Sequence, residues 1–213
     1  MIVALNQTKT FKDLEWVFKE NGDSIAIAQS PFEIGQLQIM INTGSDPALR
    51  LYFNPSDTTY GRRIEDRLSF RILENENYIG HIVGRTKGRF LKGYAYYEMK
   101  YYEAMYHCYE IGLGNKGLFL CIYQGDTLIG VVEKALKVID FKDNYMLYLT
   151  SEKHFSTAAL FTLYYDITSH GNILERKVHS SVTTIKFTRN KELLAKFDPM
   201  FIQRIRDEEK TTN

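Results

Sequence analysis

The chain has 213 residues, 44% hydrophobic and 25% charged, a composition that argues against disorder and fits one packed domain over residues 1–213. Its formal net charge is +1, so it lacks bulk attraction for nucleic acid or an acidic substrate, and any anion-binding role requires a local patch. Cys108 and Cys121 lack metal-ligand spacing and are too few for a disulfide framework.

The start, "MIVALNQTKTFKDLEW", lacks the basic and long apolar regions of a signal peptide, and no stretch reaches the roughly 18 apolar residues of a membrane span. The expected location is the cytoplasm, either free or peripheral to a membrane. "TKTFKDLEWVFKENG" suits a short helix with Thr10 as cap and Phe11, Leu14, Val17 and Phe18 on one face. A strand is the alternative there.

Three segments align on an Ile-Gly pair: "SIAIAQSPFEIGQLQI" at Ile34 and Gly35, "SFRILENENYIGHIVG" at Ile79 and Gly80, and "GLFLCIYQGDTLIGVV" at Ile129 and Gly130. Each reads as an apolar strand, a polar turn and a second strand, which predicts a repeated hairpin. "YGRRIEDR" carries Arg62, Arg63 and Arg67 among acids. "GRTKGRFLKG" then gathers Arg85, Lys87, Arg89 and Lys92 with no acid. On a strand, Arg85, Lys87 and Arg89 share one face. The glycines at 84, 88 and 93 leave backbone N–H groups open to a phosphate. A solvated hairpin rim is the plainer reading of the same residues.

"YAYYEMKYYEAMYHCYEIG" is densely aromatic strand. Its tyrosines (94, 96, 97, 101, 102, 106 and 109) suit core packing with wet hydroxyls, or stacking on bases or sugars. Gly112, Gly114 and Gly117 then match the dinucleotide spacing G-x-G-x-x-G. That motif needs a helix after it, and "LFLCIY" is a strand pattern, so a turn between strands is expected and no cofactor is implied. The five histidines show no metal-binding pairing, and His107 and Cys108 face opposite sides of a strand, so neither a metal site nor a catalytic set is read. "ALKVIDF" and "YMLYLT" read as further strands around "KDN".

"STAALFTLYYDIT", residues 156–168, is apolar on nearly every side of a helical wheel, which marks a helix buried all round. In an all-β chain its natural place is the interior of a closed barrel. "SSVTTIKFT" reads as one more strand. Residues 190–213 read as a helical appendage with a frayed tail: "NKELLAKF", then "DPMFIQRIRDEE" with Asp198 as cap and Pro199 in the first turn.

The run "YEIGLGNKGLFLCIYQGDTLIGVVEKALKVIDFKDNYMLYL" followed by "STAALFTLYYDIT" resembles the tubby C-terminal-like superfamily, in particular the small bacterial tubby-like proteins related to the LURP-one-related proteins and phospholipid scramblases. The likeness covers roughly residues 65–172 and carries no catalytic motif. It implies a barrel of about 12 strands around a hydrophobic helix. It also implies basic side chains at the barrel surface that meet phosphoinositide headgroups. "DFKDNYMLYLTS" lacks the central Gly and final Glu of a calcium loop, so calcium control is not implied. The functional expectation is a non-enzymatic binding module that meets an anionic phospholipid headgroup or membrane surface through Arg85, Lys87, Arg89 and Lys92. The alternatives are a protein–protein adaptor using Phe201, Ile202 and Ile205, and an enzyme of unknown type.

Overall fold

The computed structural model describes residues 1–9, 13–31, 37–44, 48–53, 69–88, 93–138, 142–170, 183 and 185–212. Twelve strands occur in chain order: β1 (Ile2–Lys9), β2 (Leu14–Glu20), β3 (Asp23–Ser30), β4 (Leu37–Asn42), β5 (Leu49–Phe53), β6 (Ser69–Glu74), β7 (Asn77–Lys87), β8 (Tyr94–Tyr101), β9 (Ala104–Gly112), β10 (Leu118–Gln124), β11 (Thr127–Lys134) and β12 (Asn144–Leu149). Each pairs antiparallel with its chain neighbours, and β1 pairs with β12, which closes the barrel. Three helices follow: α1 (Phe155–His170), α2 (Lys191–Leu194) and α3 (Phe201–Thr212).

Closure works because inward positions are apolar and something fills the lumen. Val3, Leu5, Trp16, Phe18, Ile39, Leu51, Phe70, Ile72, Ile82, Met99, Leu120 and Leu147 are buried on the inner wall. They pack on α1, whose Ala158, Ala159, Leu160, Phe161, Leu163, Tyr164 and Tyr165 are buried as well. The helix presents apolar groups in all directions because a barrel wall surrounds it. A turn of 3-10 helix (Glu152–His154) leads from the end of β12 into α1. Phe155 sits edge-on to Phe18 near the β2–β3 turn, and Tyr164 sits edge-on to Phe70 at the start of β6. The helix therefore runs from the end with the tight hairpin turns to the opposite end.

The hairpin repeat is present, with one unit displaced. In β6–β7 the turn is Asn75 and Glu76; Ile72 pairs with Gly80 and Leu73 with Tyr78, so Ile79 is an extra residue. In β10–β11 the turn is Gly125 and Asp126, and Ile129 is the extra residue between the same pairings. The third copy is β2–β3, with Asn21 and Gly22 in the turn and Ile25 extra, beside Ala26. Ile34 and Gly35, the pair expected to mark that copy, lie outside the described residues. All three are β-bulges next to a two-residue turn, and each adds an isoleucine to the core cluster. Asn21, Gly22, Asn75, Glu76 and Gly125 take positive φ, as such turns require.

Three local expectations are corrected. Residues 14–20 form β2 rather than a helix, because Trp16 and Phe18 alternate inward. The strand expected over "ALKVIDF" is absent from 135–138, which bend away after β11; 139–141 lie outside the described residues. "SSVTTIKFT" forms no strand among its described residues, only an isolated bridge from Phe187 to Leu113.

A second apolar cluster lies outside the barrel. Ile111, Phe119, Cys121, Val131 and Tyr148 face outward and are covered by Leu193 of α2 and by Phe201 and Ile205 of α3. Strands β9 to β12 are thus apolar on both faces, which explains the unbroken run "LFLCIY". Asp198 caps the approach to α3: its Oδ1 accepts from the Met200 N–H at 2.9 Å. Asn190 caps α2 by accepting from the Leu193 N–H at 3.0 Å.

Candidate functional site

Arg85 and Lys87 share the outer face of β7, as alternation requires. Each meets a carboxylate of this chain. Arg85 donates through Nε at 3.1 Å and Nη2 at 3.0 Å to Glu98 Oε1 on β8. The other oxygen of Glu98 lies 3.8 Å from His107 Nε2. Lys87 Nζ donates to Glu192 on α2, which also accepts from the Tyr94 hydroxyl at 3.2 Å. The hydrogen bond from Lys87 holds the Glu192 carboxyl below its ordinary pKa, and the same bond raises that of Lys87. Both members of this pair are exposed, at 60% and 56% of the side chain, so water and ions reach it. Arg89, Lys92, Arg62, Arg63 and Arg67 lie outside the described residues.

The tyrosine run divides between the two faces of the wall. Tyr97 points inward and meets Tyr164 and Tyr165 of α1 at ring separations of 5.5 and 6.0 Å. Tyr96 and Tyr109 stack on the outer wall at 5.8 Å, beside His107. Lys196 Nζ lies 5.2 Å over Tyr109 and 5.0 Å over Tyr123. This ladder adjoins Arg85 and Lys87, so the outer face of β7 to β10 joins aromatic rings to exposed ion pairs.

Gly112, Gly114 and Gly117 form the turn expected between strands: β9 ends at Gly112, a 3-10 turn spans Gly114–Lys116, and β10 follows. Their smallness serves the chain itself. Residues 186–188 cross this barrel end, with Gly112 N–H donating to Thr188 Oγ1 at 2.9 Å, Thr188 N–H to the Gly112 carbonyl at 2.8 Å, and Gly114 N–H to the Lys186 carbonyl at 2.9 Å. A Cβ on Gly112 would collide with the Lys186 backbone.

Protein-family models, curated proteins and solved structures were searched, and none matches this chain.

The two cysteines are sequestered. Cys108 faces the lumen and Cys121 the α2–α3 cluster. Burial pushes the Cys121 thiol up to about 12 and the Cys108 thiol well above its ordinary value, which leaves both protonated and poorly nucleophilic. Among the described residues no group of three His, Cys, Asp or Glu side chains could hold a metal ion. No described helix is long and apolar enough to cross a membrane.

One group went unnoticed in the sequence. Asp166, within the apolar helix α1, is 5% exposed inside the barrel. Trp16 Nε1 donates to its Oδ2 at 3.1 Å, and the Tyr145 hydroxyl to its Oδ1 at 2.5 Å. Lys134, also buried, pairs with Asp143 and lies 5.4 Å over the Tyr145 ring. Desolvation, and after it the like charge of Asp143, raise the Asp166 carboxyl to about 7, against the hydrogen bonds and Lys134, which pull it down. A lone Asp in a hydrophobic helix is the signal that could have marked it, since buried carboxylates are rare without partners.

Proposed function

We propose that this chain is a non-enzymatic binding module of the tubby-like type that meets anionic phospholipid headgroups at a membrane surface. The observation that carries the reading is the outward display of Arg85 and Lys87 on one face of β7, beside the segment that holds Arg89 and Lys92 in sequence. The barrel lumen is filled by α1, so a ligand is met on the outer wall or rim. The carboxylates paired with Arg85 and Lys87 belong to partly exposed pairs, and a phosphomonoester on a headgroup, with its nearly doubled charge and three oxygens, competes with them. Such a module is peripheral to the membrane and otherwise cytoplasmic.

Sedimentation with liposomes tests this. Wild-type protein is expected to bind anionic vesicles at low salt and to ignore neutral ones. Binding should weaken with salt, as the Debye length falls from about 10 Å at 0.1 M to about 3 Å at 1 M. Each Lys or Arg near an anionic surface contributes about 1 kcal/mol, so Arg85→Gln, Lys87→Gln, Arg89→Gln and Lys92→Gln together should lower partition by up to roughly a thousandfold. Wild-type protein that stays in the supernatant with anionic vesicles at low salt would overturn the reading.

An adaptor acting through its terminal segments is the second reading. Phe201 and Ile205 are buried on this chain's own wall, so the contact would fall to other residues. Ile185, Phe187 and Met200 are 47%, 71% and 58% exposed and favour that surface.

A further inference from the structure

Asp166 stands one turn from the C-terminal end of α1, at the barrel end where the chain leaves the helix. Its surroundings bear on its charge. It is sealed in the lumen by Trp16 of β2 and Tyr145 of β12, which offer neutral N–H and O–H donors rather than a cation. The nearby cation, Lys134 of β11, is already bound to Asp143 from the connection before β12, so the pair brings little net charge. Asp143 is further tied to β1, where its N–H donates to Gln7 Oε1 at 3.0 Å. Tyr165 is the adjacent titratable group on α1, and its hydroxyl too is held neutral by burial. Finally, the C-terminal turn of a helix carries partial negative charge and disfavours a carboxylate.

We propose that Asp166 is a proton-operated latch on the helix that fills the barrel: neutral, its carboxyl lets the last turns of α1 stay seated against β2 and β12; ionised, the cost of burying its charge outweighs the donors from Trp16 and Tyr145 and loosens those turns at the end where the chain leaves the helix. The carboxyl is raised relative to the unfolded chain, so the stability it supports is complete below the ordinary aspartate range. That stability declines as pH rises through the folded value of about 7. The device therefore tightens in mild acid and loosens in mild base, unlike the usual surface carboxylate, which is held by a cation and loosens in acid.

The test is amide hydrogen exchange on the full chain, read at residues 163–169 and corrected for the intrinsic rate. Between about pH 5.5 and pH 8.5 the open form should gain roughly thirtyfold in the wild type, the ratio set by the titration of a carboxyl near 7. Asp166→Asn keeps the shape and one acceptor and carries no titrating proton, so its protection should stay flat over the same range. Parallel loss in both proteins would overturn the latch. If the variant does not fold, the 13C carboxyl shift of Asp166 in the wild type decides. A midpoint near 7 supports the latch, and a midpoint near 4 overturns it.

Discussion

Gly80→Ala, Gly112→Ala and Gly130→Ala should form a graded series, because the added methyl group meets a different neighbour at each site. On Gly80 it would overlap the main-chain carbonyl of Lys100 across the β7–β8 ladder. Neither strand can leave, since each is paired on both sides in a closed barrel. The cost is that of overpacking with no relief, about 3 kcal/mol. On Gly112 the methyl group meets the Lys186 backbone, which belongs to a crossing segment held by three hydrogen bonds. At about 1 kcal/mol net each, these bonds cap the penalty near 3 kcal/mol. Release of even one residue of the segment regains roughly 1–2 kcal/mol of chain entropy, so the observed loss should fall to about 1–2 kcal/mol. On Gly130 the neighbour is the Leu149 side chain, which can turn. Alanine also lowers unfolded-chain entropy there, so the change should stay within about 1 kcal/mol. The matching position in β2–β3 is Ala26, which already carries a Cβ. Urea unfolding and thermal midpoints measure the series. For a chain of this size about 3 kcal/mol lowers Tm by roughly 6–12 °C. A Gly80→Ala protein as stable as wild type, or a Gly130→Ala protein less stable than the Gly80→Ala protein, would refute the reasoning.

Leu160 is fully buried between α1 and the inner wall, so Leu160→Ala should cost on the order of 2–5 kcal/mol by denaturant titration. Leu160→Asp should yield no soluble folded protein, because the lumen offers an unpaired charge no partner; a cooperative unfolding transition from that variant would contradict the placement of α1. Glu192→Gln removes the carboxylate that competes for Lys87 and should strengthen binding to anionic vesicles by roughly fivefold, the effect of one net charge at the surface; equal or weaker sedimentation than wild type would count against headgroup binding at this face.

The barrel was legible because its strands advertise themselves twice. Alternation shows in "SFRIL" and "YAYYEMKY", and the turn residues at 75–76 and 125–126 punctuate the runs between them. The lumen helix was legible for the opposite reason: a segment apolar on all sides has nowhere to go but a place enclosed on all sides. The misreading of β2 has a plain cause. Phe11, Leu14, Val17 and Phe18 satisfy a helical spacing, while Trp16 and Phe18 satisfy a strand spacing in the same run. Only pairing with β1 and β3, which is invisible locally, decides between them. The outer apolar cluster shows the same limit. Residues Ile111 to Val131 reveal that both faces are covered, but the cover comes from Phe201 and Ile205, far along the chain.

The candidate surface was legible as composition and illegible as chemistry. A strand places Arg85 and Lys87 side by side by its geometry alone. Whether they are free to bind depends on Glu98 from the next strand and Glu192 from a helix beyond the barrel. Those contacts turn an apparent patch of unbalanced positive charge into a set of exchangeable pairs, so affinity for an anion becomes a competition. Asp166 is the converse case. Its sequence context, "LYYDIT", gives only a formal negative charge within an apolar run. The barrel instead buries it away from water, and that desolvation outweighs the indole N–H and phenol O–H that donate to it, so the carboxyl is raised to about 7. In both places a one-letter reading gives the formal charge, and the fold decides whether that charge is paired, exchangeable or suppressed.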